Sequence, residues 1–391
     1  MVDDSYIRVS KEYFPQTLGN TFKSSSLTAY IEMIGSKWRH LVLGAKWDRT
    51  IVPIFEAAGR SRCIPLFKTL LSNRCSNDCL YCMFRRDRSI ERCRWDPEKL
   101  IKVALYLVKK RYVRGVFLSS SVDGDPDKVT EEEILVAEEL RRRGYRGYIH
   151  LRIMPGTSRH LIYRAAEVAD RIGVNIESPV AGIFYSICPD KGSYRNDILK
   201  RLEYCYRAYR DLAEKRMESG YGYLRSGVIT QMIIGLGETD VEVLETTHKL
   251  ITEYGLRRVY YSPFTPIHNT PLENKPPCVE GRDYTLYQAF YLMKYYGFRL
   301  DELLDLTKNG MLPKGNLKKV YAEQHRYLYP IDLNNASYWD LIRMPGVGPR
   351  TARKILNAVN EGHKIRDFRD LEKIVGYQKS RKIMKYVRLS P

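Results

Sequence analysis

The sequence predicts an α/β protein in which a partial barrel of six strands and their helices precedes a small all-α domain. Between residues 64 and 262, short apolar, β-branched runs alternate with longer amphipathic segments, which is the pattern of repeated strand-helix units around a parallel sheet. From residue 331, two helical patterns are joined by a glycine-rich turn. A chain of 391 residues is long enough for one large and one small domain.

Six strands are predicted from the apolar runs. They are Ile64–Leu71, Gly115–Ser120, Tyr148–Ile153, Arg171–Ile176, Gly227–Ile234 and Arg257–Ser262. The segments between them, such as DPEKLIKVALYLVKKR and TEEEILVAEELRRRG, carry apolar residues at helical spacing and acids in the first turn. Right-handed crossovers would wrap these units into an arc with the helices outside. Functional side chains are therefore expected at the carboxyl ends of the strands.

The sequence predicts four segments along the chain. Residues 1–58 form an N-terminal helical segment with no assigned chemistry, and residues 59–275 form the partial barrel. Residues 276–330 are a helical connector, and residues 331–391 form the all-α domain.

Composition and charge narrow the class of protein. Sixty-five Lys and Arg against 46 Asp and Glu leave a net charge of +19, which favours a polyanion such as DNA or RNA, although an anionic small substrate is an alternative. No apolar run approaches the length of a membrane span. The first residues, MVDDSYIRVSKEYFP, lack the basic start and apolar core of a signal peptide, so a cytoplasmic location is expected.

Three cysteines follow the first strand in LLSNRCSNDCLYCMF, at the spacing C-x3-C-x2-C. Thiolates from Cys75, Cys79 and Cys82 can hold a [4Fe-4S] cluster and leave its fourth iron open to another ligand. The alternative is a zinc site closed by a fourth thiol from Cys63 or Cys93. Zinc sites usually pair two C-x2-C knuckles, and only one such pair occurs here.

Cys75, Cys79, Tyr81 and Cys82 resemble the C-x3-C-x-aromatic-C signature of the radical S-adenosylmethionine (radical SAM) superfamily. That superfamily has a partial (β/α)6 barrel, in agreement with the strand count. The resemblance implies that S-adenosylmethionine binds the open iron. It also implies that an electron donor reduces the cluster, and that an electron from the reduced cluster cleaves the cofactor to methionine and a 5′-deoxyadenosyl radical.

By the same resemblance, several strand ends are expected to contact S-adenosylmethionine. The candidates are Tyr81 beside the adenine, Ser119, Ser120 and Ser121 at the amino group, Arg152 at the carboxylate, Asn175 and Glu177 at the ribose, and Gly235 and Gly237 near the adenine. Many members carry Gly-Gly-Glu where this chain has the three serines. For Arg152 a surface salt bridge is the alternative. His268, in the loop after the sixth strand, is a weak catalytic candidate, and a solvated loop histidine is the alternative.

The segment IRMPGVGPRTARKIL is a helix-hairpin-helix motif. Its glycines allow a tight turn whose N–H groups, with the next helix N-terminus, suit a phosphate. Phosphate contacts are expected from Gly346, Gly348, Arg350, Thr351, Arg353 and Lys354. From residue 331 onward, 13 Lys and Arg against 6 Asp and Glu give +7. A degenerate copy around Gly376 offers Lys379, Arg381 and Lys382 as auxiliary contacts. A protein-binding or purely structural hairpin is the alternative.

The order of the two parts resembles a narrower group, the radical SAM proteins with a C-terminal helix-hairpin-helix that are described as DNA modification or repair proteins. Matching stretches include GYIHLRIMPG, TQMIIGLGET and YPIDLNNASYWDLIRMPGVGPRTARKIL. The resemblance implies a radical enzyme acting on DNA, with an electron donor and a repair glycosylase as partners. Radical modification of tRNA or other RNA is one alternative. A non-catalytic, metal-stabilised DNA-binding protein is another.

Overall fold

A seven-stranded sheet forms the centre of the first part of the chain. The computed structural model describes residues 54–58 and 63–389. The strands are β1 (Ile54–Ala58), β2 (Cys63–Leu70), β3 (Gly115–Ser119), β4 (Tyr148–Arg152), β5 (Arg171–Gly173), β6 (Gly227–Ile234) and β7 (Arg258–Pro263). They lie in chain order, and β2 to β7 are parallel. The predicted partial barrel of six parallel strands is confirmed.

One strand was not expected. β1 pairs antiparallel with β2, and Ile54 lies opposite Phe67. It falls within residues 1–58, for which a helical segment was predicted, so that prediction is wrong for residues 54–58. A short segment beside a strand gains a full ladder of backbone hydrogen bonds, which a single helical turn could not supply. The remainder of that predicted helical segment, residues 1–53, lies outside the described residues.

Helices connect the parallel strands, as predicted from the amphipathic segments. They are α1 (Pro97–Lys109), α2 (Pro126–Arg142), α3 (Arg159–Val168), α4 (Ala181–Ile187), α5 (Lys200–Asp211), α6 (Ala213–Glu218) and α7 (Asp240–Thr252). Asp96 and Asp125 cap α1 and α2, where their side chains accept the Lys99 and Asp127 N–H groups at 2.8 and 2.9 Å. A proline follows each cap at the first helical position, where its missing N–H costs nothing.

Alternation along the strands decides which side chains face the inside of the arc. Successive strand residues point to opposite faces, so Tyr148, His150 and Arg152 share one face of β4. His150 stacks on Phe117 of the neighbouring β3, with ring centroids 3.9 Å apart. The opposite face carries fully buried apolar residues such as Leu118 and Ile149. The inner face is therefore polar and aromatic, and the outer face packs under the helices.

The described residues form two compact units. The barrel unit holds the described residues up to Glu238 together with Lys249–Cys278, and the second unit holds Thr239–His248 with the described residues from Val279 onward. The helices of the second unit beyond α7 are α8 (Arg282–Tyr295), α9 (Leu300–Leu304), α10 (Leu317–Gln324), α11 (Tyr338–Arg343), α12 (Pro349–Asn360), α13 (Phe368–Val375) and α14 (Tyr377–Ile383). A parallel two-stranded pair in this unit is formed by β8 (Ile331–Asp332) and β9 (Val387–Arg388).

Two hairpins share the core of the second unit. α11 and α12 form the first, α13 and α14 form the second, and both bury apolar residues in one cluster: Leu333, Leu341, Met344, Val347, Ile355, Leu371 and Ile383. The connector packs against them. The Arg343 guanidinium donates to the Gly297 carbonyl at 2.8 Å and pairs with Glu302. Within the part of the chain that the structure describes, no helix is long and apolar enough to cross a membrane.

Candidate active site

The carboxyl ends of the barrel strands surround one cavity of about 240 Å³. All three cysteines of the C-x3-C-x2-C motif line it, together with most of the predicted cofactor contacts: Tyr81, Ser119, Ser120, Ser121, Arg152, Asn175 and Glu177. These side chains come from the ends of β3, β4 and β5 and from the loop after β2. Parallel strands bring their carboxyl ends to one edge, so residues up to 102 positions apart in the chain meet here.

Backbone hydrogen bonds hold the cysteine loop in place. The Ser76 N–H donates to the Val122 carbonyl at 2.7 Å, and the Leu80 N–H donates to the Ile187 carbonyl at 2.8 Å. The Arg92 guanidinium donates to the carbonyls of Asn73 and Phe84 at 2.9 and 2.8 Å. A loop without regular structure needs such partners for its buried polar groups. The thiols are thereby fixed relative to the ends of β3 and α4.

The three thiols differ in electrostatics. Burial raises the pKa of Cys75, and it raises the pKa of Cys82 to about 12. A hydrogen bond from the Cys188 thiol lowers the pKa of Cys79 to about 7. The thiolate is the form that binds metal, and Cys79 is the most acidic of the three thiols.

The three motif cysteines line the cavity in which the sequence predicts a cluster. Among residues 54–58 and 63–389, no three Cys, His or acidic side chains stand close enough to hold one metal ion. The cysteines of a four-iron cube bind different irons, so their sulfurs must surround a space rather than converge on a point. Cys93, offered above as a zinc ligand, lies outside the cavity lining and contacts Glu91 at 3.6 Å. The side chain of Cys63 lies outside the described part of the chain.

Glu177 and Lys191 form a buried ion pair in the cavity wall. Glu177 has a φ of 59°, in the left-handed region that a residue with a side chain rarely adopts. Such backbone conformations cluster at functional sites. Burial opposes the charge of Lys191, but Glu177 and the neighbouring thiols Cys79 and Cys188 outweigh it, so the pKa of the ammonium rises.

Two polar atoms in the cavity wall are left without partners. Arg152 Nη1 and Asn175 Oδ1 are buried and have no hydrogen-bond partner among the described residues. The Arg152 guanidinium lies 5.6 Å from the centre of the Phe117 ring, so it is not the surface salt bridge offered as the alternative. A buried donor or acceptor without a partner costs about 1–3 kcal/mol. A polar ligand in the cavity would recover that energy.

Other predicted residues lie outside the cavity lining. Gly235 and Gly237, at φ 97° and 131°, form the turn after β6. The N–H groups of Gly235 and Leu236 donate to the Glu238 carboxylate at 2.6 and 3.0 Å. The Glu238 side chain therefore stabilises the turn in which it lies. The structure does not bring His268 to the site. Its side chain is 85% exposed and lies 3.0 Å from Glu273, which corrects its candidacy as a catalytic residue and agrees with the solvated alternative.

Sequence reasoning missed several lining residues, of which five carry polar side chains: Asn77, Lys191, Gln231, Ser262 and Thr265. Asn77 lies inside the cysteine motif, and Gln231 lies on the same face of β6 as Ile233, so spacing could have identified both. Lys191 follows an irregular segment after α4, and no periodicity marks it.

The hairpin residues form a separate candidate site on the second unit. Gly346, at φ 82°, is exposed at the turn between α11 and α12, and Arg350, Arg353 and Lys354 are exposed on α12. Gly348 is different, because its φ of −110° and ψ of 178° describe ordinary extended backbone. Only one of the two glycines therefore needs the left-handed conformation.

The second hairpin contributes to the same region. Lys382 lies beside the first turn, because a Cβ added to Gly346 would stand 3.3 Å from its Cβ. Lys379, Arg381 and Lys382 are exposed. Thr351 is 2% exposed, and its hydroxyl accepts from Lys379 Nζ at 3.3 Å. Because Thr351 is buried, the structure does not support a direct contact between its side chain and a phosphate.

Two separate parts of the chain match known protein families. Residues 69–250 match the family described as the Radical SAM superfamily, and residues 329–386 match the helix-hairpin-helix motif. The first match supports an enzyme without specifying its reaction, and the second suggests nucleic-acid binding. No curated protein matches the chain.

Two solved structures are similar in part. One is the FeFe-hydrogenase maturase HydG from Carboxydothermus hydrogenoformans, with 17% identity and a TM-score of 0.45 over 58% of this chain and 51% of that one. This alignment spans about half the length of the maturase. The other is a HydG described as a maturase of the [FeFe]-hydrogenase, with 15% identity and a TM-score of 0.45 over 82% of this chain and 75% of that one.

Proposed function

Residues 69–250 of this chain are a radical SAM domain and residues 329–386 a helix-hairpin-helix motif, and from this pairing we propose a radical enzyme that modifies or repairs DNA. The lining of one cavity gives the strongest support for this proposal. The three motif cysteines and the polar strand ends predicted from the sequence line a single cavity. The radical SAM domain identifies an enzyme, and the hairpins give it a surface for a polyanion.

Cys75, Cys79 and Cys82 would hold a [4Fe-4S] cluster, and the polar lining would hold S-adenosylmethionine. When bound, the pair supplies reductive cleavage of the sulfonium and a 5′-deoxyadenosyl radical that abstracts hydrogen from the substrate. Glu177 can accept hydrogen bonds from ribose hydroxyls. Arg152 and Lys191 offer cations for a carboxylate. The partnerless Arg152 Nη1 and Asn175 Oδ1 support this assignment, because a zwitterionic cofactor would satisfy both.

The protein's own task is to orient these groups and to exclude water. Tyr81 supplies an aromatic face between two of the ligands, and Phe84 and Phe264 add apolar walls to the cavity. Reduction of the cluster requires an electron donor, and we propose such a donor as a partner of this protein.

The hairpins would bind the sugar-phosphate backbone without reading sequence. Lys382 lies beside the turn at Gly346, and Arg353, Lys354 and Lys379 are exposed cations on the two hairpins. The +7 balance from residue 331 onward supports a polyanionic partner. A target base within a duplex could not enter a strand-end cavity, so the substrate would be single-stranded or its base extruded from the helix.

Anaerobic reconstitution with iron and sulfide tests the proposal. The reconstituted protein is reduced with dithionite in the presence of S-adenosylmethionine and either DNA or RNA. We expect 5′-deoxyadenosine together with a mass-shifted deoxynucleoside. A mass shift confined to RNA would move the activity to RNA. Absence of both the cluster and cofactor cleavage under verified anaerobic conditions would contradict the enzyme proposal.

A further inference from the structure

The turns of the two hairpins in the second unit are equivalent. Each places an exposed glycine five residues after a fully buried leucine: Gly346 follows Leu341, and Gly376 follows Leu371. Both glycines adopt positive φ, at 82° and 85°. The second turn therefore keeps the backbone conformation of the first, although it lacks the second glycine of the motif.

The residue that follows each of these glycines differs in its surroundings. In the first hairpin it is Val347, which is 1% exposed and belongs to the shared apolar cluster. In the second hairpin it is Tyr377, which is 52% exposed. At this position the first hairpin contributes to the core, and the second presents an aromatic ring to solvent.

The Tyr377 ring packs against a neighbouring ring of the same hairpin. Its centroid lies 5.7 Å from that of the half-buried Phe368, and the two ring planes meet at 78°. Edge-to-face geometry of this kind is favoured for aromatic pairs, so the contact orients Tyr377 relative to the hairpin. A ring that the protein orients and leaves half exposed can receive a flat ligand on its surface.

Charge on the second hairpin favours a polyanionic ligand. Residues 368–383 hold five Lys and Arg against two Asp and Glu, and residues 338–360 of the first hairpin hold four against one. Each hairpin therefore has a net charge of +3. Three residues of α14 are exposed cations and none is an acid: the cations are Lys379, Arg381 and Lys382. The second hairpin is thus as well suited to a polyanion as the first.

α14 connects the exposed ring to the turn of the first hairpin. Lys382 lies beside Gly346, and Lys379 Nζ donates to the Thr351 hydroxyl at 3.3 Å. Tyr377 begins this helix, five residues before Lys382, which corresponds to a rise of about 7.5 Å along the helix axis. A strand whose phosphate binds beside Gly346 can place a neighbouring nucleotide at that distance.

We propose that Tyr377 stacks on an unpaired base of single-stranded DNA whose phosphates the two hairpins hold. The inference rests on the proposed function and narrows its substrate to DNA with unpaired bases. Stacking requires a base with a free face, and the bases inside a duplex are covered by their neighbours. Every base has such a face once it is unpaired and unstacked, so the contact adds affinity without reading sequence.

Fluorescence anisotropy with two labelled strands of equal length tests this without any turnover. One is an ordinary oligodeoxynucleotide. In the other, abasic units replace the nucleotides, which keeps the phosphates and removes the bases. Wild-type protein is compared with Tyr377→Ala, Tyr377→Phe and Tyr295→Ala. Tyr295 is the matched control, because it is an exposed tyrosine that packs on another ring, Tyr291, but lies on α8, outside the hairpins.

We expect Tyr377→Ala to bind the ordinary strand about 10-fold more weakly than wild type, which is the size of one lost stacking contact. Its affinity for the abasic strand should equal that of wild type, and this equality also shows that the variant folds. Tyr377→Phe should match wild type on both strands because it keeps the ring. Tyr295→Ala should match wild type because the change lies outside the hairpins.

The outcomes separate this inference from the proposed function. Equal affinities of wild type and Tyr377→Ala for the ordinary strand would overturn the stacking inference alone. A loss of the same size on both strands would make Tyr377 a structural residue of the hairpin and also overturn it, as would a loss in Tyr377→Phe equal to that in Tyr377→Ala. Failure of the wild-type protein to bind either strand would overturn the proposed action on DNA together with the inference.

Discussion

Lys191 and Glu177 form an ion pair that is buried in the wall of the cavity bearing the three cysteines. Their side chains are 13% and 5% exposed. The attraction of a buried pair offsets the loss of hydration only while both partners are present. The pair therefore gives the cavity wall a stabilising contact whose removal is measurable.

We expect Glu177→Gln to lower the free energy of unfolding by about 3–5 kcal/mol, because it leaves a buried ammonium without its counter-ion. Urea unfolding of the cluster-free protein measures this loss. The matched control is Glu203→Gln, which breaks the exposed Arg207–Glu203 pair and should cost less than about 1 kcal/mol. Equal losses in the two variants would show that Lys191 finds another partner or reaches water.

Cys79→Ala should abolish both the absorbance of the cluster and the formation of 5′-deoxyadenosine, because it removes one of the three proposed ligands that line the cavity. DNA affinity, measured by fluorescence anisotropy, should stay unchanged. Cys93→Ala is the control, since Cys93 is buried near the loop but outside the cavity lining. Cluster loss in Cys93→Ala would favour a site closed by a fourth thiol.

Glu133 predicts a pH dependence of stability in the barrel unit. It is fully buried on α2, neither carboxylate oxygen has a hydrogen-bond partner among the described residues, and burial raises its pKa well above the ordinary value. As pH rises above about 4.3, the unfolded chain releases this proton while the folded chain keeps it. The unfolded state then binds fewer protons, so the free energy of unfolding falls with rising pH.

The variant Glu133→Gln should remove that slope. The stability difference between Glu133→Gln and wild type should grow in favour of the variant by about 1.4 kcal/mol per pH unit, from about pH 5 up to the folded-state pKa. Urea denaturation at a series of pH values gives the slope. Glu131→Gln on the exposed face of the same helix should leave the slope as it is. Parallel stability curves for wild type and Glu133→Gln would contradict the burial argument.

Gly346→Ala should weaken DNA binding, because the turn between α11 and α12 holds this residue at φ 82°. A side chain in that region costs about 1–2 kcal/mol, and the added Cβ would meet Lys382 at 3.3 Å. Gly362→Ala is the matched control, since Gly362 has φ 85° but no atom within 4 Å of an added Cβ. Both variants should lose stability, and only Gly346→Ala should lose affinity. Equal affinities would separate the turn from nucleic-acid binding.

Arg353→Ala and Lys354→Ala should each reduce the salt dependence of duplex binding. A contact to one phosphate releases condensed counterions, so its loss lowers the slope of log K against log salt by about 0.9. The slope comes from binding isotherms at several salt concentrations. Arg369→Ala serves as control, because Arg369 is exposed at the start of α13, at the far end of that helix from its hairpin turn. Unchanged slopes in both test variants would place the phosphate contacts elsewhere.

The sequence by itself determined the parts of this protein that depend on local pattern. Strand β6 has the predicted bounds. A nearly continuous apolar run such as GVITQMII is typical of a parallel strand that is buried on both faces. The cysteine spacing, the capped helices and the hairpin turn are likewise short-range features. Predicted contacts at strand ends, such as Ser119, Arg152 and Glu177, line one cavity because parallel strands bring their carboxyl ends to one edge.

Only the tertiary structure decided the contacts between residues that are distant in the chain. The pairing of Lys191 with Glu177, the approach of Cys188 to the Tyr81 hydroxyl, and the antiparallel strand β1 depend on how elements pack, and no periodicity encodes them. The exposure of His268 and the burial of Thr351 were decided in the same way. The type of a residue determines the chemistry that its side chain can perform, and its position in the packed fold determines which groups that side chain contacts.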